Sequence, residues 1–93
     1  MIVASIKVRL LIREARTLKD KRRVVRSILD RLKNEFNVSA AEVDALDEYR
    51  TAVLGFATVG WDGKAVRGAL QKIAEALRHH PVAEFVSCEF DPV

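Results

Sequence analysis

Seven of the eight cations between Arg16 and Lys33 are the residues here whose type and spacing suggest chemistry: Arg16, Lys19, Lys21, Arg22, Arg23, Arg26 and Lys33. With Val25 at zero on a helical wheel, Arg22, Lys33, Arg26, Lys19 and Arg23 fall between about 60° and 160°. Only Asp30 interrupts them, while Asp20, Ser27, Arg31 and Glu35 take the opposite flank. The charge is therefore a ridge beside the apolar stripe rather than a uniform coat. Lys19, Lys21, Arg22 and Arg23 also crowd the first two turns. A helix N-terminus carries positive partial charge and favours acids there. A bound anion relieves that conflict and meets free backbone N–H groups. The chemistry implied is contact with phosphates, and RNA is the expected partner. Two other readings compete: a solvated face, and pairing with the chain's own acids Asp44, Asp47, Glu48, Glu89 and Asp91.

The net charge of +3 conceals an asymmetry. Residues 1–36 hold eleven Lys/Arg against four Asp/Glu, and residues 37–93 hold five against nine. A basic and an acidic surface follow if the fold keeps these halves apart.

Catalytic patterns are missing. No Walker-type loop and no G-x-G-x-x-G occurs. His79 and His80 are adjacent near a helix end and do not converge on one metal. Ser5, Ser27, Ser39 and Ser87 have no histidine at a recognisable spacing. Acids around a polar hairpin are usually solvated. The single cysteine, Cys88, excludes an internal disulfide or a Cys-x-x-Cys pair and reads as a small buried residue. Trp61 reads as a core or edge anchor. No catalytic residue, metal or cofactor is expected. The alternative to RNA binding is a homo-oligomeric protein-interaction module.

The elements that must position the ridge follow from periodicity. Residues 2–12 alternate as a strand, with Ile2, Ala4, Ile6, Val8, Leu10 and Ile12 on one face. Thr17-Leu18-Lys19-Asp20 has the form of a capping box, opening a helix to about Phe36. Its stripe is Leu18, Val25, Ile28, Leu29, Leu32 and Phe36. Residues 38–46 and 51–60 read as strands around a polar hairpin loop, Asp47 to Arg50. Asp62-Gly63 caps a second helix to about His79, with the stripe Val66, Leu70, Ile73 and Leu77. Pro81 ends it, and residues 83–90 form a last strand. One α+β domain over residues 1–93 follows, of the ferredoxin-like split β-α-β type: βαββαβ, a four-stranded antiparallel sheet with two helices on one face. Both faces of the third strand are apolar, so the open sheet face needs cover. A homodimer formed sheet to sheet is expected, with a base-stacking platform as the competitor. The first strand offers aliphatics and no aromatics to stack. No apolar run reaches the roughly 20 residues of a membrane span, and the alternating start is unlike a signal-peptide core. A cytoplasmic protein with no membrane partner is expected.

The segment Arg16-Thr17-Leu18-Lys19-Asp20-Lys21-Arg22-Arg23-Val24-Val25 resembles the YlxP-like family, bacterial domains of uncharacterised function. The likeness continues through Phe36-Asn37-Val38-Ser39, Ala41-Glu42-Val43-Asp44 and Leu54-Gly55, and covers nearly the whole chain. Where the family commonly carries a tryptophan near the hairpin, this chain has Tyr49. The resemblance implies a ferredoxin-like fold. Genes of the family often neighbour those of a translation initiation factor and a ribosome-binding factor, which implies a translation or ribosome-maturation accessory. Its motif makes Lys19, Lys21 and Arg22 the foremost contacts. Arg16, Arg23, Arg26 and Lys33 extend the patch on the charge pattern alone.

Overall fold

A computed structural model describes residues 1–91. The elements run β1 (Ile2–Leu11), α1 (Leu18–Glu35), β2 (Ser39–Asp44), β3 (Thr51–Gly60), α2 (Gly63–Arg78) and β4 (Glu84–Asp91). The strands form one antiparallel sheet in the order β2-β3-β1-β4. This is the ferredoxin-like α+β arrangement.

Alternation along β1 decides which face is buried. Ala4, Ile6, Val8 and Leu10 pair across to Thr58, Phe56, Leu54 and Ala52 of β3. These strand residues, Thr58 apart, form one cluster with Val25, Ile28 and Leu32 of α1 and Val66, Leu70, Ile73 and Leu77 of α2. Both helices therefore cover the same face. At about 25 cal/mol per Å2, each fully buried Leu, Ile or Phe contributes roughly 1.5–3 kcal/mol, which fixes the helices to the sheet.

Thr17 caps α1, its Oγ1 accepting from the Asp20 N–H at 3.1 Å. The Asp20 carboxylate returns to the Arg16 N–H at 3.0 Å, one residue before the cap. That hydrogen bond, with lesser help from Thr17 and Arg23, holds Asp20 below the usual carboxylate range. Asp62 caps α2 by accepting from the Lys64 N–H at 3.1 Å. β2 ends at Asp44, two residues before the expected end, and a bulge between Glu42 and Asp44 shifts its register on β3. Beyond it Ala45 takes φ 55, in the left-handed region, and turns the chain into the loop before β3.

Gly68 sits inside α2 with no atom within 4 Å of where a Cβ would stand. A Gly68→Ala variant gains roughly 1 kcal/mol of stability from helix propensity alone. A thermal melt reads this as a rise of a few degrees, and an unchanged midpoint counts against it.

His80 closes the turn between α2 and β4. Its Nδ1 accepts from the N–H groups of Val82 (3.1 Å) and Ala83 (2.9 Å). Burial first, then the nearby Arg31 guanidinium, lower its pKa from the ordinary 6.5. The unfolded chain thus binds a proton that the folded chain resists. Stability from this group is present above pH 6.5 and is lost as pH falls toward the lower folded value. Denaturant midpoints are expected to decline below pH 6.5, before the carboxylates titrate, and His80→Asn removes that decline. Equal slopes in both proteins count against it.

Candidate functional site

The segregation of charge follows layers rather than halves of the chain. The two helices hold eleven Lys/Arg and four Asp/Glu, while strands and loops hold five and nine. β4 alone carries Glu84, Glu89 and Asp91 without a cation. The division into residues 1–36 and 37–93 expected from the sequence is corrected accordingly. Helix α2, from the acidic half, brings Lys64, Arg67, Lys72 and Arg78 to the basic layer.

Six of the seven expected contact residues are exposed: Arg16, Lys19, Arg22, Arg23, Arg26 and Lys33. Lys19, Arg22, Arg23 and Arg26 line one shallow concave surface with Ser27 and Asp30. Arg16 lies beyond the cap and Lys33 in the last turn, so the structure does not gather these two into that surface. From Lys19 to Arg26 is seven residues, about 10 Å of rigid helix.

None of the six exposed cations has a carboxylate of the described residues within 4 Å of its side-chain nitrogens. The acids pair elsewhere. Lys7 Nζ lies 3.6 Å from Glu89, Arg13 Nε 2.7 Å from Glu84, and Arg31 Nε 3.2 Å from Glu35. The Arg13 hydrogen bond draws the Glu84 carboxyl below its ordinary range. Among the described residues, pairing of the ridge with the protein's own acids therefore does not occur.

Lys21 is a correction. Its side chain is 0% exposed and makes no surface with its neighbours, so it cannot contact an external phosphate. Its Nζ donates to the carbonyls of Ala45 (2.9 Å), Thr51 (3.2 Å) and Leu46 (3.4 Å). Three carbonyls occupy the three protons of an ammonium. Glu42 Oε2 stands 2.8 Å away, with its side chain 13% exposed, and supplies charge without a well-aligned hydrogen bond. The signal was in the spacing: positions 21, 25, 28 and 32 share one stripe, and Lys21 stands where an apolar residue is expected. The clamp ties the loop after β2 to the first turns of α1. Arg50 adds to the tie, its Nε donating to the Ala15 carbonyl at 3.2 Å and its guanidinium 5.1 Å from the Tyr49 ring.

Trp61 is a second correction. It is 89% exposed rather than an anchor in the core. It follows Gly60, where the space next to the backbone is already filled by Val66, 2.7 Å from where a Cβ would stand.

Among the described residues no three His, Cys, Asp or Glu groups cluster as metal ligands. His79 Nε2 is engaged with Glu75 at 2.9 Å, and His80 with backbone donors. Nothing in the described residues points to catalysis. No described helix is long and apolar enough to cross a membrane.

A family model described as "Protein of unknown function (DUF503)" matches residues 3–90. Among curated proteins, the chain is similar to "Uncharacterized protein YlxP" of Bacillus subtilis (strain 168). The two are 32% identical over 74 residues, 80% of this chain and 80% of that protein.

Proposed function

The chain belongs to the DUF503 family of proteins of unknown function, and since that family brings no assigned activity, we propose from its surface that it is a small RNA-binding module. Its α1 ridge contacts phosphates and reads no bases. The observation that carries this is the set of six exposed cations, Arg16, Lys19, Arg22, Arg23, Arg26 and Lys33, without an ion pair among the described residues while acids pair with cations elsewhere. Like charges at one-turn spacing cost a helix a few tenths of a kcal/mol per pair. A row of polyanion charges turns that repulsion into attraction and releases counterions. RNA is favoured over other polyanions by the family's genomic company with translation factors. A role as a translation or ribosome-maturation accessory fits the same company. The side chains of the ridge are Lys and Arg with no aromatic among them, so the contacts position a backbone and do not stack on bases.

Fluorescence anisotropy with ribosomal RNA fragments over a salt series tests the reading. If all six cations engage, log affinity falls with log salt at a slope of about −4 to −5. That is roughly 250- to 1,000-fold between 50 and 200 mM. Absence of binding at about 50 mM salt, where phosphate contacts are strongest, overturns it.

A further inference from the structure

The second face of the sheet carries no helix. The register places Val3, Ser5, Lys7 and Arg9 of β1 on it, opposite Val59, Ala57, Gly55 and Val53 of β3. Ser39 and Ala41 of β2 continue it, beside Ala57 and Gly55. Its relief is uneven. Ala41, Gly55 and Ala57 floor a shallow trough beside Lys7. Val43 closes one wall, so near that a Cβ on Gly55 would lie 2.9 Å from Val43 Cγ1. At the end of the sheet Val3 (48% exposed), Val59 (55%) and Trp61 stand out into solvent.

We propose that this open face is the interface of a homodimer, two copies packing sheet to sheet about a two-fold axis parallel to the strands. Three observations choose a second copy over another occupant. The order β2-β3-β1-β4 is reversed by such an axis, so β1 of each copy lies over β3 of the other. Lys7 then meets the partner's glycine and alanine trough instead of the partner's Lys7, and that trough has room for its alkyl stem, while Arg9 lies over the partner's Val53. The area is also sufficient. Strands of ten, six, ten and eight residues, at about 3.3 Å per residue and about 4.8 Å apart, cover roughly 540 Å2 per copy, or about 1,100 Å2 for the pair. That clears the roughly 1,000 Å2 asked of a specific interface. Lastly, the helix layer, with eleven cations against four acids, repels its own copy. The sheet face is the side on which two copies approach without that cost. The strand residues of this face include no aromatic, and Trp61 at its end is a lone ring rather than a base-stacking platform.

Sedimentation equilibrium from 1 to 100 µM, without nucleic acid, tests the dimer. The wild type is expected at twice the 10.4 kDa chain mass. Val59→Glu and Ala41→Glu change residues exposed in the single chain, and each buries a carboxylate only on pairing. Each is expected to weaken the dimer about a hundredfold with an unchanged thermal melt. A wild type that stays monomeric at 100 µM overturns the proposal, as does a dimer that both variants leave intact. A loss of RNA affinity in monomeric Val59→Glu, from a wild type that is itself monomeric, assigns the face to nucleic acid and overturns it too.

Discussion

Replacing Lys19, Arg22 and Arg26 together by glutamate is expected to lower RNA affinity at least about a hundredfold at low salt. The three side chains lie on the concave surface of α1, and each change removes a phosphate contact and adds a repulsion. The fold should not suffer. All three are exposed and none is in an ion pair with the described residues. The acid at position 19, in the first turn, also agrees with the helix dipole, by about 0.3–1 kcal/mol. The melting curve is thus expected to hold or rise slightly. A matched control separates the ridge from bulk charge. Lys64, Arg67 and Lys72 of α2, reversed together, change net charge by the same amount. That protein is expected to keep most of its affinity. If both variants lose affinity equally, attraction is a property of the whole helix layer and the ridge has no special part. If the α1 variant binds as well as wild type, the ridge is a solvated face.

Lys21→Ala is expected to cost about 3–5 kcal/mol, the range for breaking a buried pair by removing one partner. The loss strands Glu42, whose Oε2 is buried, and removes the donor to three carbonyls in the loop between β2 and β3. A loss of this size is a large share of the 5–15 kcal/mol that holds a typical domain. Lys21→Met with Glu42→Leu should recover part of it, because the isolated carboxylate goes while the carbonyls still lack donors. Urea denaturation measures both. A cost below about 1 kcal/mol for Lys21→Ala means the loop is held without the clamp. This variant also guards against misreading: lost RNA binding in it reports a damaged loop and helix start, since Lys21 has no exposed surface.

The fold was largely legible because its signals are periodic. Alternation marked β1 and β3, and the stripes of α1 and α2 came within a residue or two of their bounds. The capping roles of Thr17 and Asp62 were equally readable, since each needs only its own side chain and a nearby N–H. The family was legible in the Arg16–Val25 segment and nearly the whole chain matches it. The site was harder. A wheel places a cation at an angle but does not say what tertiary partner waits there. Lys21 sits on the apolar side of α1, yet only the bulge after Glu42 and the left-handed Ala45 bring three carbonyls to its amine. Such a clamp leaves one odd residue in a stripe as its trace. The charge division failed for the same reason. Counting along the chain cannot know that α2 returns to lie beside α1, carrying its cations out of the acidic half. Trp61 was misjudged because large aromatics are commonly buried, and the local pattern of a strand end before a cap holds nothing to contradict that.

The sorting of charge by layer has a kinetic meaning. A molecule with eleven cations and four acids on its helices, and an excess of acids elsewhere, carries a permanent dipole from its sheet side to its helix layer. In the field of a polyanion it experiences a torque before any contact forms, turning the helices toward the target. Productive orientations are thus enriched during diffusion, and encounter rates climb above the 10⁵–10⁶ M⁻¹s⁻¹ typical of unsteered docking. The same torque turns the sheet away, so capture of a polyanion leaves the opposite side of the protein unobstructed.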